Sequence, residues 1–475
     1  MSEHTAYAAG DHTASRPAEK TGFKRILGLG SLLAVAVGLV VSQGVMVLML
    51  QGTGIAGLGF IIPLALGYIL ALTYVYSFSE LSLMIPRAGS LSSYTEVAIG
   101  QFPAILAVFS GYVVVAMFAL SAELLLVDFI LEKIYPGVFP PMTVGFGLLA
   151  IFTVLNLLGI DLFAKLQSVL AFIMVLVLLM LGLSALFGIA TPHTEGISLT
   201  ASWNPMGSGV ITLVALAIWG YVGAEFVCPL VEEAKNPTRD IPRSMLLGVT
   251  IIFVTITIYC LGALFYIPAD DLAASPLPHY DYAKAVFGDI GLTFLAIAAV
   301  TATCSTLNTS LAAIPRMLYG MAQNGQAFPQ LKKLTPGTNT PWVAVLFVAA
   351  VTGLPMVLMG ANPDAIGLLL ISAAIAWLLA YIITHVNVIA LRRRYPNLER
   401  PYKTPFYPLP QIVGIGGMIY AIYYASPAPE LSGQIFGAAG MVLGVVSVIA
   451  VAWIKLVMKK PLFQPEPIEK ALKAK

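Results

Sequence analysis

The sequence predicts an all-α membrane protein of twelve transmembrane helices, on three observations: an apolar composition, long charge-free runs, and a lopsided placement of Lys and Arg. Of 475 residues, 59% are hydrophobic and 10% charged, against about 25% charged in ordinary soluble domains. Mean hydropathy is +0.89. A soluble chain of this make-up could not cover its apolar surface, so lipid is its solvent.

The elements follow in order. The first 26 residues are polar, lack the pattern of a signal peptide, and read as a disordered cytoplasmic tail. No charge then occurs from Ile26 to Ser79, too long for one crossing of roughly 20 residues. That run reads as two helices joined by a turn at Gln51-Gly52-Thr53-Gly54. Repeating the argument puts spans at 27–50, 57–83, 102–131, 142–160, 163–188, 207–232, 244–267, 287–319, 341–360, 365–390, 409–425 and 433–457, and a second tail at 458–475.

With an even number of spans and both termini inside, 23 of the 25 Lys and Arg residues face the cytoplasm, leaving Lys133 and Lys284 outside. Cytoplasmic retention of Lys and Arg is the expected asymmetry, and it puts the chain in a cytoplasmic membrane. The basic residues flank the membrane, so they suggest no nucleic-acid partner. Cys228, Cys260 and Cys304 fall within spans and read as buried small hydrophobes.

Two spans are interrupted near their middles. The first contains Gly38, Ser42, Gln43 and Gly44; the sixth contains Trp219-Gly220-Tyr221-Val222-Gly223-Ala224-Glu225. Irregular backbone within a bilayer is tolerated only where protein covers it or it lines a cavity. Matched breaks in successive five-helix blocks point to a substrate site between repeats. N–H groups at the start of a second half-helix, here Gln43, Gly44, Val45 and Met46, form a cradle for an anion. Carbonyls around Trp219 to Val222 would accept from an ammonium. An amino acid carries both groups, and Trp219 and Tyr221 would cover it.

Carboxylates at membrane depth are functional candidates by default. Glu225 beside the sixth-span break is the leading one, for amine contact or proton coupling. Glu123 either lines the site or is a satisfied side chain in the bundle. Glu80, near the inner end of the second span, serves packing, a proton role or substrate contact, and Asp128 near the outer surface is solvated. No Lys or Arg lies deep in a span, which favours zwitterionic or cationic cargo. His385 reads as a hydrogen-bonded structural histidine.

From Glu232-Glu233-Ala234-Lys235-Asn236-Pro237 through Arg239-Asp240-Ile241-Pro242-Arg243 the chain resembles the amino acid–polyamine–organocation family of secondary transporters. Further matching stretches are Glu80 with Pro86 to Ser90 and Tyr94; Asn156 with Gly159; Asn308, Arg316, Tyr319, Ala322, Gly325 and Pro329; and Leu391 to Arg394 through Arg400, Pro401, Tyr402 and Pro405. The resemblance implies a leucine-transporter-type five-plus-five inverted repeat, 27–188 and 207–391, plus two peripheral helices at 409–457. It also implies alternating access without ATP or any cofactor. It puts Ser42 to Met46 and Trp219 to Ala224 around the substrate, and an inner gate in the loop that holds Glu233 and Arg239. Sodium-coupled relatives use hydroxyls such as Ser305 and Thr306 with first-helix carbonyls; others use a fifth-helix lysine, at a position that aligns with Met174. The coupling ion, H+ or Na+, stays open.

The function expected is a secondary permease for an amino acid or close relative. The alternative is a polyamine- or ethanolamine-type transporter or an exchanger, since Ser42 and Gln43 replace the glycine and small residue usual at the first break. A channel would show a repeated filter, and an embedded enzyme a clustered nucleophile and base. Neither pattern occurs.

Overall fold

The computed structural model describes residues 23–189, 203–360, 363–426 and 429–473; of the expected N-terminal tail only residues 23–26 are among them. The described residues are helical apart from loops and one isolated parallel bridge between Leu27 and Ala234. The helices are α1 (Leu29–Val40), α2 (Gln43–Ala56), α3 (Ile61–Met84), α4 (Leu91–Ala98) and α5 (Gln101–Ile134). Next come α6 (Thr143–Leu157), α7 (Ile160–Leu186), a largely 3-10 segment over Gly207–Glu233, and α8 (Pro237–Ala263). They are followed by α9 (Pro278–Gln323), α10 (Trp342–Met359), α11 (Pro363–Arg394), α12 (Leu409–Tyr423) and α13 (Pro429–Ala452). Among the described residues, eight helices are long and apolar enough to cross a membrane, and four shorter apolar ones accompany them.

Local chemistry explains the breaks. The N–H of Val41 still reaches Val37 O, but its ψ of 90° ends α1. Ser42 is extended and caps α2, its Oγ accepting the Val45 N–H at 3.3 Å, the ordinary role of serine at a helix start. In the Gly207–Glu233 segment, Val222 is extended and Gly223 has φ +116°, a backbone that favours glycine. A Cβ there would also collide with the Leu39 side chain, so the two breaks are in contact.

The turn expected at Gln51 to Gly54 is not there. Helix α2 continues to Ala56, and the chain turns at Gly57, φ +58°. Gly52 and Gly54 serve close approach instead: a Cβ on Gly52 would strike the Phe60 ring, and one on Gly54 the backbone at Ala269 and Ala273. In α5, residues Phe109–Val114 and Ala116–Leu120 are wound as π-helix, a form that recurs at functional sites.

The Lys- and Arg-rich end is tied together by polar groups. Arg316 of α9 grips Glu233 through two bonds, Nε to Oε2 at 2.7 Å and Nη2 to Oε1 at 2.8 Å, with both side chains buried. The N–H groups of Ile26 and Leu27 donate to Glu233 O, and Lys235 N–H donates to Leu27 O. Residues 459–473 return to α4: Phe102 N–H donates to Leu462 O at 2.8 Å and Glu466 N–H to Glu96 O at 2.9 Å. The C-terminal segment is thus packed against α4 and the start of α5.

Arg316→Met leaves Glu233 buried without its cation, which costs about 3–5 kcal/mol. Melting curves in detergent should show a marked loss of stability for Arg316→Met, largely recovered in Arg316→Met/Glu233→Leu.

Candidate functional site

The two breaks bound one small cavity. Leu39, Val40, Ser42 and Val45 line it from the first break; Trp219, Val222 and Phe226 from the second; Val115, Ala116, Ala119, Leu120 and Glu123 from α5; Thr306, Ser310 and Ile314 from α9; Trp377 from α11. Its volume is about 30 Å³, where one water needs roughly 10–15 Å³. The lining is aliphatic and aromatic apart from Glu123, three hydroxyls and two indoles. Trp219 and Trp377 meet edge to face at 6.0 Å, and Phe226 lies 5.7 Å from Trp377.

The anion cradle is already filled from within the chain. Gln43 N–H donates to Glu123 Oε2 at 2.9 Å and Gly44 N–H to Glu123 Oε1 at 2.8 Å. Val45 N–H goes to Ser42 Oγ and Met46 N–H to Ser42 O. All four N–H groups expected to receive substrate therefore have partners. The Gln43 side chain turns away, its Nε2 donating to Thr303 Oγ1 at 2.7 Å.

Glu225 sits behind the second break. Its Oε1 accepts from Trp377 Nε1 at 2.9 Å, and its Oε2 from Tyr381 OH at 2.6 Å and Gly223 N–H at 3.1 Å. Of the carbonyls near that break, Tyr221 O accepts from Tyr74 OH at 2.5 Å. Gly220 packs against Met49 and Ile256. Tyr221 packs toward Tyr68 and Gly67. Of the residues singled out from the sequence, Ser42, Val45, Glu123, Trp219 and Thr306 face the cavity, whereas Gln43, Gly44, Met46, Gly220, Tyr221, Gly223 and Glu225 stand behind it.

A second polar knot holds the end of α1. Ser305 Oγ donates to Gly38 O at 2.8 Å, and Thr306 Oγ1 approaches Leu39 O at 3.5 Å. Gln167 Nε2 donates to Ser305 Oγ at 2.7 Å and to Ala34 O at 3.2 Å, while Gln167 Oε1 accepts from Asn308 Nδ2 at 3.0 Å. The α7 residue that reaches α1 is therefore Gln167, two turns before Met174. Asn156 joins the same knot, donating to Asn308 Oδ1 at 3.0 Å. Sequence reasoning passed over Gln167; an amide amid apolar residues was the available signal.

Other carboxylates take structural positions. Glu80 is not unpaired: Arg392 donates to both its oxygens at 2.8 and 2.7 Å, Arg400 lies 3.2 Å away, and Thr404 N–H donates at 2.8 Å. Asp128 is buried, not solvated, because it caps α6 through the Val144 and Gly145 N–H groups at 3.1 and 2.9 Å. His385 is held by Ser77 at 3.0 Å and Thr73 at 3.4 Å. Arg239 is exposed in the first turn of α8 and makes no ion pair among the described residues. The three cysteines are buried free thiols.

A profile of the family described as amino acid permease matches residues 27–450. The chain belongs to the amino acid permease family. The branched-chain amino acid permease BcaP of Bacillus subtilis (strain 168) is 27% identical, over 84% of this chain and 87% of its own length. The serine/threonine exchanger SteT of the same bacterium is 26% identical, over 85% and 92%. The human b(0,+)-type amino acid transporter 1 is 25% identical, over 82% and 81%. The resemblance read from the signature loop thus holds over most of the chain, and this permease is a multi-pass membrane transporter rather than an enzyme.

Replacing Gln167 by Leu removes the acceptor of one Asn308 amide N–H and the donor to Ser305 Oγ in a buried site, at about 1–3 kcal/mol for each group left unsatisfied. Thermal melting of purified Gln167→Leu should fall below wild type, and below Gln167→Glu, whose carboxylate still accepts from Asn308.

Proposed function

We propose that this permease moves neutral amino acids with small aliphatic side chains across the cytoplasmic membrane by alternating access. The observation that carries the reading is the contact of two broken helices around one small, mostly apolar cavity. A zwitterion needs hydrogen-bonding backbone at one end and apolar walls at the other, and both occur here. The relatives named for branched-chain amino acids and for serine and threonine point to the same class of cargo. A polyamine or ethanolamine substrate is the weaker reading, since all three relatives are named for amino acids or their transport.

The architecture we read has twelve crossings in a five-plus-five inverted repeat with α12 and α13 peripheral. The matched breaks support the repeat, and the eight long and four shorter apolar helices support the count. Both termini are assigned to the cytoplasm because 23 of 25 Lys and Arg residues then lie there. The Glu233–Arg316 pair, with the strand-like contact of Leu27 and Ala234, then serves as the inner gate. Opening the cavity to that side requires the pair to part. A cavity smaller than any amino acid fits a carrier closed on both sides, which must loosen to admit cargo.

Neutral donors, the Ser305 and Thr306 hydroxyls, hold the Gly38 and Leu39 carbonyls at the end of α1. Those carbonyls therefore need no cation, which supports sodium-independent transport. In proteoliposomes, with sodium and proton gradients imposed separately, leucine, isoleucine and valine should enter saturably. Exchanging sodium for choline should leave the initial rate within twofold. Uptake of amines alone, with no amino acid accumulated, would refute the reading. Ala116→Leu, which adds bulk to the cavity wall, should raise the KM for leucine at least tenfold relative to that for alanine, measured by competition.

A further inference from the structure

We infer that Glu123 is a built-in stand-in for the substrate's carboxylate: it occupies the cradle at the start of α2 when no cargo is bound and must be displaced by it. The inference rests on the proposed amino acid site and deepens it, because it assigns the device by which that site selects zwitterions.

Four observations meet at this residue. The Glu123 carboxylate takes the Gln43 and Gly44 N–H groups one to each oxygen, at 2.9 and 2.8 Å, as a bound anion at a helix N-terminus would. The side chain is 2% exposed and makes no ion pair among the described residues. It is the one carboxylate on the cavity wall, so it stands between cradle and cargo. The fit is close: a Cβ on Gly44 would lie 2.8 Å from Glu123 Oε1 and also crowd Leu370 at 3.1 Å. Glycine at 44 thus admits a carboxylate to the backbone at that point.

Two carboxylates cannot share two N–H groups in a buried site, since like charges at that range exclude each other. A substrate carboxylate therefore enters only as Glu123 leaves. Once displaced, Glu123 is a buried carboxylate without donors, which is costly. The α-ammonium of an amino acid sits one carbon from its carboxylate, and it supplies what the displaced side chain lacks. The exchange is balanced: N–H groups pass from one carboxylate to another, and Glu123 passes from N–H groups to an ammonium. A carboxylic acid without the amine evicts Glu123 and leaves it unpaired. Glu123 thus determines specificity by making the ammonium a condition of carboxylate binding.

The test compares leucine with 4-methylpentanoate, which keeps the carboxylate and the aliphatic chain but lacks the amine. Affinities are measured by competition against bound radiolabelled leucine in detergent. Wild type should prefer leucine at least tenfold. In Glu123→Ala and Glu123→Gln, where the competitor is gone, that preference should shrink at least tenfold through a gain in affinity for 4-methylpentanoate. Gly44→Ala, which pushes on the Glu123 carboxylate from the backbone side, should shift the ratio in the same direction. A ratio within twofold of wild type in every variant that melts as a folded protein would overturn the stand-in. Wild type that binds no amino acid would instead overturn the proposed function.

Discussion

A backbone amide that loses its helical partner inside a bilayer has no water to turn to, and several kcal/mol rest on its finding another acceptor. Much of the polar pairing around the two breaks answers that constraint. The N–H groups released at Ser42 go to the Ser42 side chain, the Ser42 carbonyl and the Glu123 carboxylate. The carbonyls released at the end of α1 take Ser305 and Thr306. At the second break, Gly223 N–H finds Glu225 and Tyr381, and Tyr221 O finds Tyr74. Each break is therefore solvated by side chains from other helices, and those side chains bind the helices to one another.

The same logic sorts the buried carboxylates into distinct roles. Glu80 and Glu233 lie at the basic end and are held by arginines in two-pronged pairs, the geometry that suits guanidinium best. Asp128 caps a helix from its neighbour. Glu225 ties the second break to α11 through Trp377 and Tyr381, and stacking of Tyr74 on Tyr381 at 4.3 Å extends the tie to α3. Among the described carboxylates only Glu123 both satisfies backbone and borders the cavity. A carboxylate with N–H partners on one side and a cavity on the other is placed to exchange one set of partners for another.

Much of this was legible in the chain. Charge-free runs marked the helices because charge is excluded from lipid, and glycine with polar residues at mid-span marked both breaks. Ser42 could have been read as a helix cap outright, since serine accepting from the third residue on is a local pattern. What the chain could not reveal was who meets whom across 80 to 270 positions. Glu123 was weighed as a lining residue or as a satisfied one, and it is both, because its partners are amides on another helix. The arginine that pairs with Glu80 could not be read from the sequence, because Arg392 lies 312 residues away. The glycines at 52 and 54 looked like a turn because glycine permits one; packing against Phe60 and Ala273 uses them differently. Composition registers which groups are present, and tertiary pairing decides what they do.

That pairing also bears on how the carrier moves. The first break is bonded to α5 and α9, the second to α3 and α11, and the two touch through apolar contacts such as Leu39 on the bare face of Gly223 and Met49 on Gly220. Each half-helix is thus anchored to its own neighbours by hydrogen bonds, whereas the seam between the breaks is van der Waals contact. Among the described residues no hydrogen bond joins one break to the other across that seam. The costly bonds lie elsewhere, at Glu233 with Arg316 on the basic end and at Glu123 within the cradle. In the cycle proposed above, cargo with one anionic and one cationic group replaces the partners of Glu123 in a single step.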